Sequence, residues 1–106
     1  MSKVLYIKAN FEYYFIELDN DFKIYKQFLS GDPAICNIKE ELCLISDRKA
    51  KDNHSHINAL ATRVFRAYLP SYNDLLYGDV LIVGKKGAGL SRERIAELKK
   101  ILEFEE

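Results

Sequence analysis

The segment between Gly84 and Gly89 has the glycine spacing of a phosphate-binding loop. It lies between a strand-like and a helix-like segment, which is the position that a P-loop takes. A P-loop requires lysine directly after its second glycine, but Leu90 stands there, so the segment does not support nucleotide triphosphate hydrolysis. Free backbone N–H groups before a helix can still hold an anion. The alternative is a plain connector between a strand and a helix.

Two arginines supply a second group of cations. Arg63 and Arg66 are spaced i and i+3 on a predicted helix, off its apolar stripe, so they are neighbours on its surface. Arginine binds planar anions through two parallel hydrogen bonds, which suits phosphate and carboxylate groups. The alternative is a solvated helix face, or ion pairs to Asp74 and Asp79. The predicted anion-binding residues are Arg63, Arg66, Lys85, Lys86, Gly87, Gly89 and Ser91.

The two histidines, His54 and His56, lie in the most polar stretch of the chain. At this spacing both rings bind one metal ion only on an extended chain, and no conventional third ligand lies close in sequence. As a catalytic pair they lack a nucleophile on a recognisable motif. We therefore expect solvated loop histidines, no metal site and no catalytic residues. A small nucleotide-handling or hydrolytic enzyme that uses this loop is the alternative.

The two cysteines, Cys36 and Cys43, fit no metal motif, because the chain has no further sulfur ligand. If Lys39 and Glu40 form a two-residue turn, the cysteines lie opposite each other across a hairpin and could meet in an oxidising medium. Neither turn residue favours a left-handed conformation, so we expect a slightly longer loop. In a reducing cytosol we expect two buried, reduced cysteines that behave as small hydrophobic residues.

Composition predicts one soluble globular domain over residues 1–106. Hydrophobic residues make up 48% of the chain and charged residues 30%, which argues against disorder. No apolar run approaches the ~18 residues that span a bilayer, and the N-terminus lacks the apolar core of a signal peptide. We therefore expect a cytoplasmic protein that has no membrane contact and needs no cofactor.

Charge is balanced overall, with 16 basic and 16 acidic residues, but it is uneven along the chain. Residues 48–100 carry 11 basic and 5 acidic side chains, a net charge of +6, whereas residues 1–47 carry 5 and 8, a net charge of −3. The last six residues add −3. The zero total disfavours a nucleic-acid binder, and the basic segment keeps that function as an alternative. The favoured partner is a host protein or a small anionic ligand.

The aromatic content predicts an interaction surface. Seven tyrosines and six phenylalanines are more than the interior of so small a domain accommodates. Tyrosine is enriched at protein interfaces, so we predict a homo-oligomer. The alternative is a set of core residues whose hydroxyls reach the rim.

Hydrophobic periodicity predicts the α+β class: a mostly antiparallel sheet of about five strands with three helices, in the order β-β-α-β-β-α-β-α. The apolar run Val80–Val83 favours a central strand. Asn53 or Ser55 is the predicted N-cap of the second helix, and Ser91 that of the third. The predicted strands are 3–8, 11–18, 34–38, 41–45 and 77–83, and the predicted helices are 21–29, 57–69 and 92–104.

Several short patterns follow one another along residues 15–84. Ile16-Glu-Leu-Asp-Asn20 leads into a short helix, and Ser30-Gly31 and a strand pair follow. An Asn-led helix, Asn58-Ala-Leu-Ala-Thr-Arg63, precedes an acidic-aromatic turn and a Gly-Asp strand, Asp74-Leu-Leu-Tyr-Gly-Asp-Val-Leu-Ile-Val-Gly84. In this order the segment resembles a family of small domains of unknown function in phages, plasmids and conjugative elements. The chain departs from that family in its first hairpin and in its histidine-rich loop.

The resemblance implies an accessory gene of a mobile element and brings no enzymatic activity with it. Small accessory proteins of such elements often inhibit or sequester components of host defence, which is an analogy at the level of the family. Together with the residues, it predicts a non-enzymatic binding protein. This protein would bind or inhibit a host protein, such as a defence protein, or sequester a small anionic or nucleotide ligand.

Overall fold

Five strands form one antiparallel sheet and three helices pack on it, in the predicted order and class. The computed structural model describes residues 2–19, 21–29, 31–50, 52, 56–84 and 89–103. The elements are β1 (Ser2–Ile7), β2 (Tyr13–Leu18), α1 (Phe22–Leu29), β3 (Pro33–Lys39), β4 (Leu42–Asp47), α2 (Ala59–Tyr68), β5 (Val80–Gly84) and α3 (Arg92–Leu102). Within the described ranges, no helix is long and apolar enough to cross a membrane.

The strands lie in the order β2-β1-β5-β4-β3, so β5 occupies the centre of the sheet. All five residues of β5 are buried. This confirms the predicted central strand. Its residues are apolar because other layers cover both faces of the strand. The outer strands β2 and β3 have the opposite character, because exposed positions interrupt their apolar ones.

Helices cover the sheet on both faces. The cluster between the sheet and helices α2 and α3 includes Leu5, Ile7, Leu44, Val64, Ile82 and Leu98. The cluster on the other face, beneath α1, includes Val4, Tyr25, Cys43, Ile45, Leu81 and Val83. Since α1 has only 8 residues, it covers this face less completely than the two helices cover the first face.

A buried asparagine fixes the beginning of α2. The Asn58 side chain accepts a hydrogen bond from the backbone N–H of Ala61 at 2.9 Å, which makes Asn58 the N-cap. Its amide nitrogen donates to the carbonyl oxygens of Ile7 at 3.1 Å and Gly78 at 2.9 Å. Asn58 therefore attaches α2 to β1 and to the chain entering β5. The predicted cap, Asn53 or Ser55, is wrong, and both residues lie outside the described ranges.

The β3–β4 hairpin turns at Glu40 and Glu41, one residue later than a Lys39–Glu40 turn would. Glu41 adopts the left-handed conformation, with φ of 60°. A register shift between Asn37 and Lys39 sets Asn37, not Cys36, opposite Cys43.

The two cysteines consequently lie on opposite faces of the sheet. Cys36 is paired with Leu44 and is exposed, whereas Cys43 is buried and its thiol lies 3.1 Å from the Asn37 side-chain oxygen. The prediction of two buried cysteines is therefore right for Cys43 and wrong for Cys36. The register shift between Asn37 and Lys39 is the physical cause, because a slip of one residue in the pairing moves a side chain to the other face.

Candidate functional site

The exposed side of α2 carries the two predicted arginines. Leu60, Ala61, Val64 and Phe65 are buried against the sheet and α3. This apolar stripe leaves Arg63, Arg66 and Ala67 on the exposed side, as the helical period requires.

Helix α3 lies beside α2 and likewise has one buried side and one exposed side. Leu98 and Leu102 are buried, and Ile101 is half-buried at the edge of the core. Lys99 and Lys100 are exposed. The ammonium group of Lys99 lies 5.6 Å from the centre of the Phe15 ring, so this lysine points toward the β2 side of the helix.

Between the two helices lies a shallow cavity of about 300 Å³, which we call the α2–α3 groove. It is lined by Arg63 and Ala67 from α2 and by Lys100 and Ile101 from α3. The lining thus combines two apolar side chains with two long cationic ones. Long basic side chains place their methylene stems against apolar surface and keep the charge in water. A ligand in this groove would meet apolar surface and positive charge together.

A hydrogen-bonded network joins the two helices near the C-terminal end of α2. The Tyr68 hydroxyl donates to Glu97 at 2.6 Å, and the Arg94 guanidinium donates to the same carboxylate at 3.1 Å. Arg94 also donates to the Glu40 carbonyl oxygen at 3.3 Å, which connects α3 to the β3–β4 turn. Burial and the bond to Glu97 raise the pKa of Tyr68, while the bond from Tyr68 and the nearby Arg94 lower the pKa of Glu97. The network fixes the spacing of the helices that form the groove.

Arg66 is next to Arg63 on the surface of α2, but it does not line the groove. Its guanidinium donates a long hydrogen bond, 3.4 Å, to the backbone carbonyl oxygen of Asp74. The Asp79 carboxylate accepts from the Tyr6 hydroxyl at 2.8 Å and from the Ala9 backbone N–H at 2.9 Å. The Asp74 carboxylate accepts from the adjacent backbone N–H of Leu75 at 2.8 Å, so the bond from Arg66 to Asp74 is to its backbone and not an ion pair. The Asp79 carboxylate connects the chain before β5 to β1 and to the turn after it.

The beginning of α3 holds the other described residues of the predicted site. The Ser91 hydroxyl oxygen accepts from the backbone N–H of Arg94 at 3.1 Å, which confirms Ser91 as the N-cap. A Cβ atom at Gly89 would lie 3.0 Å from the backbone nitrogen of Lys3, so glycine permits the chain to pass close to β1. Lys85, Lys86 and Gly87 lie outside the described residues.

The structure separates Arg63 from this helix start along the axis of α3. Arg63 shares the groove with Lys100, which is nine residues beyond Ser91 in sequence. Nine residues of α-helix extend about 13 Å. Arg63 and Lys100 therefore belong to one surface, and Gly89 and Ser91 to the region where α3 begins. The position of Lys100 beside Arg63 could not be predicted from the sequence, because it depends on how α2 packs against α3.

His56 lies in a cleft at the end of the sheet opposite to the one where α3 begins. Two adjoining cavities, of about 530 and 260 Å³, share Ala9, His56 and Asp79, and the smaller one also reaches Asp47. The Asp47 carboxylate accepts from the backbone N–H groups of Asp32 at 3.0 Å and Lys49 at 3.1 Å, so it organises the loops around the cleft. Among the described residues, no three His, Cys, Asp or Glu side chains are grouped to hold a metal ion. His54 lies outside those residues.

Comparisons with known proteins identify no relative of this chain. No family model matches it, and no curated protein and no solved structure matches it at a significant level. The functional inference therefore depends on the chain's own geometry.

Proposed function

We propose that the chain is a non-enzymatic binding protein whose α2–α3 groove receives an acidic, amphipathic segment of a partner protein. The observation that carries the proposal is the groove itself, which Ala67 and Ile101 line together with Arg63 and Lys100. Grooves between helices commonly bind a partner helix through its apolar face. Carboxylates flanking that face would pair with the two cations.

The lining favours a protein segment over a small anion. Exposed ion pairs contribute only about 0.2–1 kcal/mol each, so two cations alone hold an anion weakly. Apolar burial contributes about 25 cal/mol per Å², and Ala67 and Ile101 offer apolar surface that phosphate cannot use. A segment that combines apolar and acidic side chains uses both parts of the groove.

Two further observations support an anionic protein partner. The segment 48–100, which supplies α2 and most of α3, carries a net charge of +6, from 11 basic and 5 acidic residues. A field of this sign accelerates encounter with an acidic partner. We also propose a partner in the host cell and an accessory role, which is what the resemblance of residues 15–84 to domains of phages, plasmids and conjugative elements implies.

The test uses a fluorescein-labelled helical peptide that has leucine on one face and glutamate beside it, measured by fluorescence anisotropy at low salt. We expect Arg63→Ala combined with Lys100→Ala to weaken binding about tenfold, the effect of losing two exposed charge pairs. Ala67→Glu, which puts a carboxylate into the groove, should abolish binding. The matched control, Lys23→Ala with Lys26→Ala on α1, should bind like the unchanged protein.

Three outcomes would contradict the proposal. The first is no binding of the peptide at low salt. The second is an equal loss of affinity in the α1 control, which would mean that net charge alone decides binding. The third is displacement of the peptide by inorganic phosphate at concentrations that leave ionic strength unchanged, which would favour the sequestration of a small anion.

A further inference from the structure

We propose that two copies of the chain pair antiparallel along the outer edge of β3, joining their sheets into one continuous sheet. This surface lies apart from the α2–α3 groove, so the inference stands or fails independently of the proposed function. It gives the predicted homo-oligomer a specific interface.

The outer edge of β3 has the features of a strand that accepts another strand. β3 is the last strand of the sheet, and no strand among the described residues pairs with its outer side. Exposed edges usually carry charged residues that prevent pairing between chains. Here the stretch from Ala34 to Asn37 carries none, and Ile35 at its centre is 57% exposed.

Antiparallel pairing about a two-fold axis brings like residues of β3 together. Ile35 lies opposite Ile45 and therefore on the α1 face of the sheet. Near the axis, Ile35 of each copy would cover Ile35 of the other. Cys36 lies opposite Leu44 on the α2–α3 face, so the two Cys36 side chains would approach each other on that face.

The charges at the ends of β3 are complementary for this arrangement. Asp32 precedes the strand and Lys39 ends it. Antiparallel pairing sets Lys39 of one copy beside Asp32 of the second copy. Arg48 lies 3.4 Å from Asp32 and would come near Glu40 in the turn of the second copy. Opposite charges across neighbouring strands stabilise pairing.

The other outer strand, β2, does not share this complementarity. Glu12 precedes it, and Glu17 and Asp19 stand at its end. Antiparallel pairing of β2 with its own copy would bring acidic ends together, which is destabilising. Charge therefore selects β3 rather than β2 for self-association.

The first test compares substitutions on the two outer strands by sedimentation velocity. Ile35 and Tyr14 both lie on the α1 face of an outer strand and are 57% and 47% exposed. We expect the unchanged protein to sediment as a dimer, Ile35→Lys as a monomer and Tyr14→Lys as a dimer. Both substitutions are at exposed positions, and circular dichroism verifies that both variants fold. A monomeric unchanged protein, or a dimer that survives Ile35→Lys, would overturn the proposal.

The second test places a nitroxide spin label on Cys36. Cys43 is buried, so the label attaches to the exposed Cys36 alone. Strand spacing and rise put the two Cys36 Cα atoms about 5–8 Å apart in either antiparallel register that keeps the faces aligned. We expect strong dipolar broadening that disappears on dilution with unlabelled protein. A dimer without broadening has a different interface and would also overturn the proposal.

Discussion

The Tyr68 hydroxyl on α2 donates a 2.6 Å hydrogen bond to the Glu97 carboxylate on α3. This bond is the largest cause of the lowered pKa of Glu97, and Arg94 lowers the pKa further. A carboxylate whose pKa is lower in the folded state stabilises the fold above its unfolded pKa, near 4.5. The stabilisation is lost as pH falls through the folded pKa.

We therefore predict that Tyr68→Phe moves the pKa of Glu97 upward toward its usual value and costs about 1 kcal/mol of stability at neutral pH. NMR titration of the Glu97 carboxyl carbon measures the first effect and urea denaturation the second. Tyr13→Phe is the control, because its hydroxyl reaches Glu103 at only 3.3 Å in an exposed position. An unchanged Glu97 titration in Tyr68→Phe would contradict the role of this bond.

A second prediction concerns Asn58. Asn58→Ala removes the α2 cap and leaves the carbonyl oxygens of Ile7 and Gly78 without their amide donor, in a fully buried position. Losing a cap costs about 1 kcal/mol, and leaving the buried carbonyl oxygen of Ile7 without its donor costs about 1–3 kcal/mol, whereas the bond to Gly78 is only partly buried. We expect about 2–4 kcal/mol lower stability in urea denaturation. Ser91→Ala, which removes only an exposed cap, should cost about 1 kcal/mol. Equal costs for the two substitutions would mean that Asn58 acts only as a cap.

The thiols provide a third prediction. In the native protein, a chromogenic disulfide reagent should react rapidly with one thiol, that of Cys36, and should react with both thiols in urea. Cys36→Ser should therefore remove the rapid native reaction, and Cys43→Ser should leave it. Rapid native reaction of both thiols would contradict the burial of Cys43 and the register of the hairpin. We also expect neither thiol to be required for binding.

The order and type of the elements could be predicted because local patterns determine them. The apolar period of α2 and the continuous apolar run of β5 each have one structural interpretation. The positions of caps and turns were less predictable. Asn58 was part of the predicted helix 57–69, and its bonds to the carbonyl oxygens of Ile7 and Gly78 join segments that are distant in sequence, which no local pattern encodes.

The candidate site was only partly predictable, because a local pattern determines some of its residues and long-range packing determines the others. The helical period places Arg63 outside the core, which the sequence alone indicates. Its neighbour Lys100 lies on another helix, and the angle and register of α2 against α3 decide which cations meet. Those quantities arise from packing of the whole core, including Val64 and Leu98, and no local pattern encodes them.

A graded series compares the predicted cations. Lys85→Ala with Lys86→Ala should weaken binding of the acidic peptide mildly, and more at low salt, since exposed charges contribute little and are screened. Arg63→Ala should weaken it more, because Arg63 lines the groove. Arg66→Ala is expected to act in the same direction through its forked guanidinium. If all four changes leave affinity intact, the ligand binds elsewhere.

A titration of ¹⁵N-labelled protein with the acidic helical peptide, followed by two-dimensional NMR, tests binding in the α2–α3 groove most directly. We expect the backbone amide signals of Ala67 and Ile101 to move together and saturate at one peptide equivalent, while that of Lys26 on α1 stays in place. Shifts confined to Gly89 and Ser91, or to α1, would contradict binding in the α2–α3 groove.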